Sequence, residues 1–189
     1  MSPARTKKIL SHPNSLIIYR IAAIPAIVVL LLFPNRICTL IAAVLFSAAA
    51  ITDYLDGYLA RKRGLVTTFG RVMDPVADKL LVSTTFIMLT ALGWVPAWMV
   101  CVIIGREIAV TGLRSIIAEN QKDVAATWLG KYKTGFQIAA IIPIVIHNPY
   151  FGVNLNAVGH FFLWGALVFT VWSGVDYFIS FRTLLRLNG

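Results

Sequence analysis

Long apolar runs separated by short polar segments make up most of this chain. The runs at 37–52, 80–105 and 134–175 contain no acidic or basic residue. The second is interrupted at 93–96 and the third at 147–152 by glycine, proline and asparagine, which are typical of turns. Because a helix needs about 20 residues to cross a bilayer, the pattern predicts an all-α integral membrane protein. Its six transmembrane helices are expected at about 15–33, 37–60, 74–92, 96–118, 130–147 and 157–182.

Most basic residues fall on alternate connections between these helices. The N-terminal segment, the second and fourth connections and the C-terminal segment carry them, whereas the other three connections contain only Arg36. Since lysine and arginine concentrate in the cytoplasmic segments of membrane proteins, we expect both termini and the second connection in the cytoplasm. The basic segment 1–13 is expected as a short interfacial helix or as a solvated leader.

The overall composition is that of a membrane protein. Of the 189 residues, 58% are hydrophobic and 13% are charged, whereas soluble domains contain about 25% charged residues; one membrane-embedded domain, 1–189, is expected. The net charge of +9 does not predict nucleic-acid binding, because the basic residues form short clusters between apolar runs. Cys38 and Cys101 lie in apolar stretches without metal or disulfide spacing, so we expect both to be small core residues.

Four of the eight acidic residues lie close together around the second connection. Asp53 and Asp56 are three positions apart and Asp74 and Asp78 are four apart, so each pair projects from one face of a helix. Pro75 suits the first turn of a helix, for which Asp74 is the expected N-cap. The simplest arrangement is therefore two helices that present two carboxylates each towards one another.

Four carboxylates gathered near a membrane surface need compensating charge. Divalent cations supply it, and an all-oxygen ligand set favours Mg²⁺ or Mn²⁺. Gly57 and Ala60 leave room on the same face, and Arg61 and Thr67 are candidates for holding phosphate oxygens. The alternative is that the acids pair with neighbouring basic side chains as interfacial salt bridges.

The acidic residues belong to a longer pattern, Asp53-x2-Asp56-Gly57-x2-Ala60-Arg61-x8-Gly70-x3-Asp74-x3-Asp78. This pattern resembles the signature of the CDP-alcohol phosphotransferase family, and Pro13-Asn14 with Arg20 is similar to a second family motif. The resemblance implies a six-helix fold, a homodimer and a two-metal centre held by the four aspartates, with Asp78 also acting as the base. It further implies that the CDP group is bound by Asn14, Asp53, Asp56, Gly57, Ala60, Arg61, Thr67, Gly70 and Asp74.

A second polar group lies in the fourth and fifth predicted helices. Arg114, Lys131 and Lys133 fall near the cytoplasmic ends of these helices, where they could form a cationic pocket for an acceptor that carries phosphate. The alternative is that they are anchors that extend to lipid headgroups. Glu107 is an acid inside a span, which is costly, and the adjacent Arg106 is not expected to face it.

These stretches also resemble part of the family. Arg106-Glu107, Gly112 and Arg114, followed by Gly130-Lys131-x-Lys133-Thr134 and Gln137, are similar to patterns of bacterial phosphatidylglycerophosphate synthases. The resemblance implies that sn-glycerol 3-phosphate attacks CDP-diacylglycerol at the inner membrane, giving phosphatidylglycerophosphate and CMP. The acceptor's phosphate would be bound by Arg106, Arg114, Lys131 and Lys133.

Two other functions are compatible with parts of the pattern. The same chemistry could serve inositol phosphate, serine or phosphatidylglycerol, although an acceptor without charge would make the cationic cluster unnecessary. A cation transporter would also place acids in membrane helices. Transport favours acids at the bilayer midplane and a repeated, interrupted helix pair, whereas this sequence contains no such repeat and its four clustered acids lie towards one membrane face.

Overall fold

The computed structural model describes residues 13–63, 68–119, 128–149, 152 and 154–186. Several helix ends are described by their backbone alone, namely 13–17, 53–63, 68–72, 74, 114–119, 128–131 and 180–186. These ranges contain six helices and no strand. The helices are α1 (Pro13–Leu32), α2 (Arg36–Arg63), α3 (Thr68–Ala91), α4 (Ala97–Glu119), α5 (Trp128–Ile146) and α6 (Leu155–Arg186). Residues 1–12 of the expected interfacial segment lie outside the described part of the chain.

The six helices occupy the predicted positions, and the main difference is at the start of α3. This helix begins at Thr68 and contains Pro75 in its interior, so the prediction that Asp74 caps its N-terminus is wrong. Proline cannot donate to the carbonyl four residues earlier, but the helix continues through it. The earlier start places the whole stretch 68–78 on a helix.

Both predicted interruptions are confirmed. Gly93 has a φ of 72° between α3 and α4, and the segment after α5 has positive φ at His147 (56°) and Gly152 (75°). The imidazole of His147 stacks on the indole of Trp94, with 3.9 Å between ring centroids and 11° between planes. The two connections therefore pack against each other at one end of the bundle.

A continuous apolar core joins the helices. α1 packs against α2 and α3, α5 packs against α2, α3 and α6, and α4 packs against α3 and α6. The largest fully buried apolar side chains include Phe46, Phe86 and Ile141. The helices α3, α4 and α5 surround a common interior region, and the candidate site lies there.

Much of the outer surface is apolar as well. Phe161, Trp172 and Ile37 are among the large side chains that point outwards. By length and composition, one segment of the described chain, Leu155–Ile179, is able to cross a membrane, and shorter apolar stretches cover Ile18–Leu32, Arg36–Thr52 and Tyr132–Ile146. The number of transmembrane spans therefore stays a prediction.

The two cysteines do not share one environment. Cys38 is half-buried and Cys101 is exposed on α4. The prediction that both are core residues is wrong for Cys101, because this side of α4 faces outwards. An apolar sequence neighbourhood does not distinguish the inner from the outer face of a helix whose two faces are both apolar.

The close approach of α5 and α6 generates a stability prediction. A Cβ at Gly159 would clash with the side chain of Ile144 and lie 3.0 Å from both the Ala140 carbonyl oxygen and the Ile144 nitrogen. We expect Gly159→Ala to lower the free energy of unfolding by about 1–3 kcal/mol, because backbone atoms cannot move aside cheaply. Thermal unfolding in detergent measures this.

Gly105→Ala is the matched control, since a Cβ there meets nothing within 4 Å. Alanine favours a helix over glycine by about 1 kcal/mol, so this variant should unfold at the same temperature as the parent or higher. Equal destabilisation by both substitutions would contradict the assigned contact.

Candidate functional site

Helices α3, α4 and α5 enclose a narrow cleft of about 300 Å³, counted with its open mouth. Most of its polar lining lies on facing helices, with Asp78 on α3, Glu107 on α4 and Lys133 on α5. The remaining lining residues are Lys79, Val82, Ser83, Phe86, Ile103, Ile104, Thr134 and Gln137. The cleft therefore combines carboxylates, cations and an amide above apolar side chains.

Glu107 and Lys133 form an ion pair across the cleft wall. The Lys133 ammonium donates to Oε1 of Glu107, and Lys133 is only 5% exposed. A buried charge of either sign is costly alone, so each side chain makes the burial of the other tolerable. Glu107, whose partner was unclear from sequence, thus joins α4 to α5.

Arg106 is the second cation beside Glu107. Its Nη1 lies 3.5 Å from Glu107 Oε1, so the prediction that these neighbours do not face each other is wrong. Adjacent helix positions diverge at Cβ, but the long arginine side chain reaches back to the carboxylate. Glu107 therefore has two cations close to it.

The guanidinium of Arg106 also holds α4 against α6. Its Nη2 donates to Ser173 Oγ at 2.9 Å, and its Cζ lies 5.9 Å from the Tyr177 ring centroid. Gly174 permits this approach, since a Cβ there would lie 3.2 Å from Arg106 Cγ. Arg106 is not among the cleft-lining residues, and its predicted contact with phosphate stays a prediction.

Asp78 lies on the α3 wall of the cleft and is half-buried. The neighbouring Lys79 also lines the cleft, and its ammonium donates to the Pro75 carbonyl oxygen at 3.5 Å. The structure thus brings the predicted base, Asp78, to the same cleft as Lys133, one of the predicted acceptor-binding cations.

The other predicted site residues are described by backbone at most. Asp53, Asp56, Gly57, Ala60 and Arg61 lie on α2, and Gly70 and Asp74 lie on α3, which packs against α2. Asn14 lies in the first turn of α1, Arg114 on α4 and Lys131 on α5. Thr67 lies outside the described residues, and the side chains of the others are not described.

The expected metal centre is compatible with this backbone arrangement. Both aspartate pairs lie on helical backbone, on two helices in contact, and carboxylate oxygens are suitable ligands for Mg²⁺ or Mn²⁺. Among the side chains that the structure describes, no three metal-binding groups cluster. Only Asp78 of the four aspartates is within that set, so the two-metal centre stays a prediction.

Sequence reasoning assigned no role to Arg20, although it is a charged residue in an otherwise apolar helix. Arg20 is 2% exposed and is among the largest fully buried side chains of the described residues, and it is not without an interaction partner. Its helix, α1, packs against α2 and α3, the helices that carry the four aspartates. The available signal was its position, since a charge within a membrane helix indicates a function or a partner.

Sequence comparison relates this chain to lipid-synthesising enzymes. The sequence profile of the CDP-alcohol phosphatidyltransferase family matches residues 10–172. The chain is similar to proteins named CDP-diacylglycerol–glycerol-3-phosphate 3-phosphatidyltransferase. One from Bacillus subtilis is 44% identical over 88% of this chain and 92% of its own length. Those from Rickettsia typhi and Salmonella choleraesuis are 40% and 35% identical, each over 90% of this chain and over 97% and 94% of their own lengths.

The Glu107–Lys133 pair generates a prediction that separates charge from packing. Lys133→Met should lower the thermal midpoint by about 5–15 °C, because it removes the ammonium and leaves a buried carboxylate. Adding Glu107→Gln to that variant should cost less than Glu107→Gln costs in the parent, because the ion pair with Lys133 is then already absent and only the contact of Glu107 with Arg106 is lost. Thermal unfolding of the two single variants and the double variant measures this coupling. Additive losses would show that the two side chains do not interact.

Proposed function

Because the chain belongs to the CDP-alcohol phosphatidyltransferase family, we propose that it transfers the phosphatidyl group of CDP-diacylglycerol to sn-glycerol 3-phosphate. The products are phosphatidylglycerophosphate and CMP. The observation that carries the proposal is that Asp78 and Lys133 line one cleft. The relatives that are named for this reaction match the chain over most of its length. A carboxylate and a cation facing one cleft suit an acceptor that has both a hydroxyl and a phosphate.

The reaction assigned to Asp78 is a proton transfer. Its carboxylate accepts the proton of the acceptor's 1-hydroxyl while that oxygen forms a bond to the β-phosphorus. The bond between the β-phosphorus and the CMP oxygen breaks, and CMP leaves. General bases of this kind contribute about 10²–10⁴-fold to rate, and the half-buried position of Asp78 on the cleft wall supports this role.

Asp53, Asp56, Asp74 and Asp78 would hold two Mg²⁺ or Mn²⁺ ions. When bound, such ions neutralise charge on the attacking and leaving oxygens of an in-line displacement. The helices that carry these residues also carry most of the residues that we assign to the CDP group. That set comprises Asn14, Asp53, Asp56, Gly57, Ala60, Arg61, Thr67, Gly70 and Asp74.

The acceptor's phosphate is assigned to the cations of α4 and α5. Lys133 lines the cleft, and Lys131 and Arg114 lie towards the same end of the bundle along their helices. Arg106 lies beside Glu107, the partner of Lys133, and it remains a candidate for direct contact with the acceptor's phosphate. Charge-assisted hydrogen bonds to phosphate are stronger than neutral ones, so this group would bind the acceptor by its phosphate.

We further propose that the six helices span the bacterial inner membrane, with both termini and the cleft mouth on the cytoplasmic side, and that the protein forms a homodimer. The alternating basic connections support the orientation, and the outward-facing apolar side chains support contact with lipid. An active site at the cytoplasmic face would receive a water-soluble acceptor directly.

The first expected outcome concerns the acceptor. Purified protein in detergent with CDP-diacylglycerol and Mg²⁺ should release CMP on addition of glycerol 3-phosphate. Inositol phosphate, serine and phosphatidylglycerol, each added separately, should give no release. Release of CMP with one of these instead would be consistent with the proposed chemistry but would contradict glycerol 3-phosphate as the acceptor. Absence of release with all four, from folded protein, would overturn the proposed function.

The second expected outcome concerns the base. Asp78→Asn should reduce CMP release at least 100-fold, because an amide cannot accept the hydroxyl proton. Its thermal midpoint should still rise on addition of CDP-diacylglycerol, which reports binding. Asp176→Asn is the matched control, since this half-buried acid on α6 does not line the cleft, and it should leave release near the parent rate. Parent-like turnover of Asp78→Asn would exclude Asp78 as the base.

A further inference from the structure

Gln137 occupies an unusual position in the cleft. It lies on α5 and lines the cleft together with Glu107 and Lys133, yet it is only 3% exposed. Its Nε2 is shielded from solvent and has no hydrogen-bond partner among the described residues. A buried donor left in this state costs about 1–3 kcal/mol, so its position requires an explanation.

The neighbouring polar side chains do not account for it. Lys133 donates to Glu107 and Lys79 donates to the Pro75 carbonyl, and both Asp78 and Thr134 are engaged in interactions of their own. Of the described residues that line the cleft, only Gln137 has a buried side-chain nitrogen or oxygen without a partner. An oxygen of a ligand that enters the cleft would satisfy this donor.

The position of Gln137 along α5 suggests which oxygen it meets. Gln137 is one helical turn from Lys133, so the two side chains share a face of the helix. A neutral amide binds an anion less strongly than an ammonium group does. The cleft already contains ammonium groups that can bind the phosphate. An uncharged hydroxyl between the reacting end and the phosphate end of the acceptor suits the amide better.

We propose that Gln137 is a specificity-determining residue that donates from Nε2 to the C2 hydroxyl of the glycerol phosphate acceptor. The inference rests on the proposed function, in which Asp78 takes the C1 hydroxyl and the cations take the phosphate. The C2 hydroxyl is then the one polar group of the acceptor without an assigned partner. Its hydrogen bond to Gln137 satisfies the buried amide.

This arrangement predicts that acceptors without the C2 hydroxyl are used poorly. A site built to hydrogen-bond a hydroxyl discriminates strongly against an analogue without it, because the buried donor is left unpaired. 3-Hydroxypropyl phosphate has the reacting hydroxyl and the phosphate but no C2 hydroxyl. It therefore isolates the contact assigned to Gln137.

The test measures kcat/KM for glycerol 3-phosphate and for 3-hydroxypropyl phosphate in the parent and in Gln137→Leu. The parent should prefer glycerol 3-phosphate by about tenfold or more. Gln137→Leu should lose most of that preference, because kcat/KM falls for glycerol 3-phosphate alone. The KM for CDP-diacylglycerol should not change.

Three results would overturn the inference. An equal loss for both acceptors would assign Gln137 to phosphate binding or to stability. An unchanged preference in the variant would show that Gln137 does not contact the hydroxyl. Failure of the parent to use glycerol 3-phosphate, while it uses another acceptor, would remove the proposed function and this inference together.

Gln137→Met is a second variant for the case in which leucine disturbs folding. Methionine is close to glutamine in length and adapts to its surroundings. Thermal unfolding identifies which variants are folded, and the comparison of acceptors is made on those. Loss of the preference in a folded methionine variant supports the inference. Retention of the preference in that variant contradicts it.

Discussion

The ion pair between Glu107 and Lys133 is the constraint on which the candidate site depends. It joins α4 to α5 inside the bundle, where each charge lowers the cost of burying the other. Arg106 extends the same group to α6 through Ser173. Three helices are therefore held together by charge and hydrogen bonding beside the cleft, and this fixes the wall that faces Asp78.

Packing of apolar side chains provides the rigid frame around this polar group. α5 and α6 approach so closely at Gly159 and Gly165 that a Cβ at either position would meet side chains of the facing helix. At one end of the bundle, the stacked rings of Trp94 and His147 join the connection between α3 and α4 to the connection between α5 and α6. Because these contacts fix the positions of the helices, the cleft can keep a defined shape with few polar groups.

The family assignment and the structure contribute different information about function. The aspartate signature and the relatives indicate the chemistry, namely transfer of a phosphatidyl group from a CDP-linked lipid. The structure shows which residues of different helices line the same cleft, and these include Asp78, Lys133 and Gln137. An acceptor that has both a hydroxyl and a phosphate suits this set of groups.

The sequence by itself determined the helical class, the six helices and the two main interruptions, because the length of apolar runs and the turn residues between them are local properties of the chain. It also identified Asp78 as a candidate through the spacing of the four aspartates, and Lys133 through the group of basic residues at the ends of the fourth and fifth helices. It did not predict the outward position of Cys101, the passage of α3 through Pro75, the partners of Glu107 or the complete burial of Arg20. Those depend on which helix faces meet, and residues such as Glu107 and Lys133, 26 positions apart, are brought into contact only by the packing of the whole bundle.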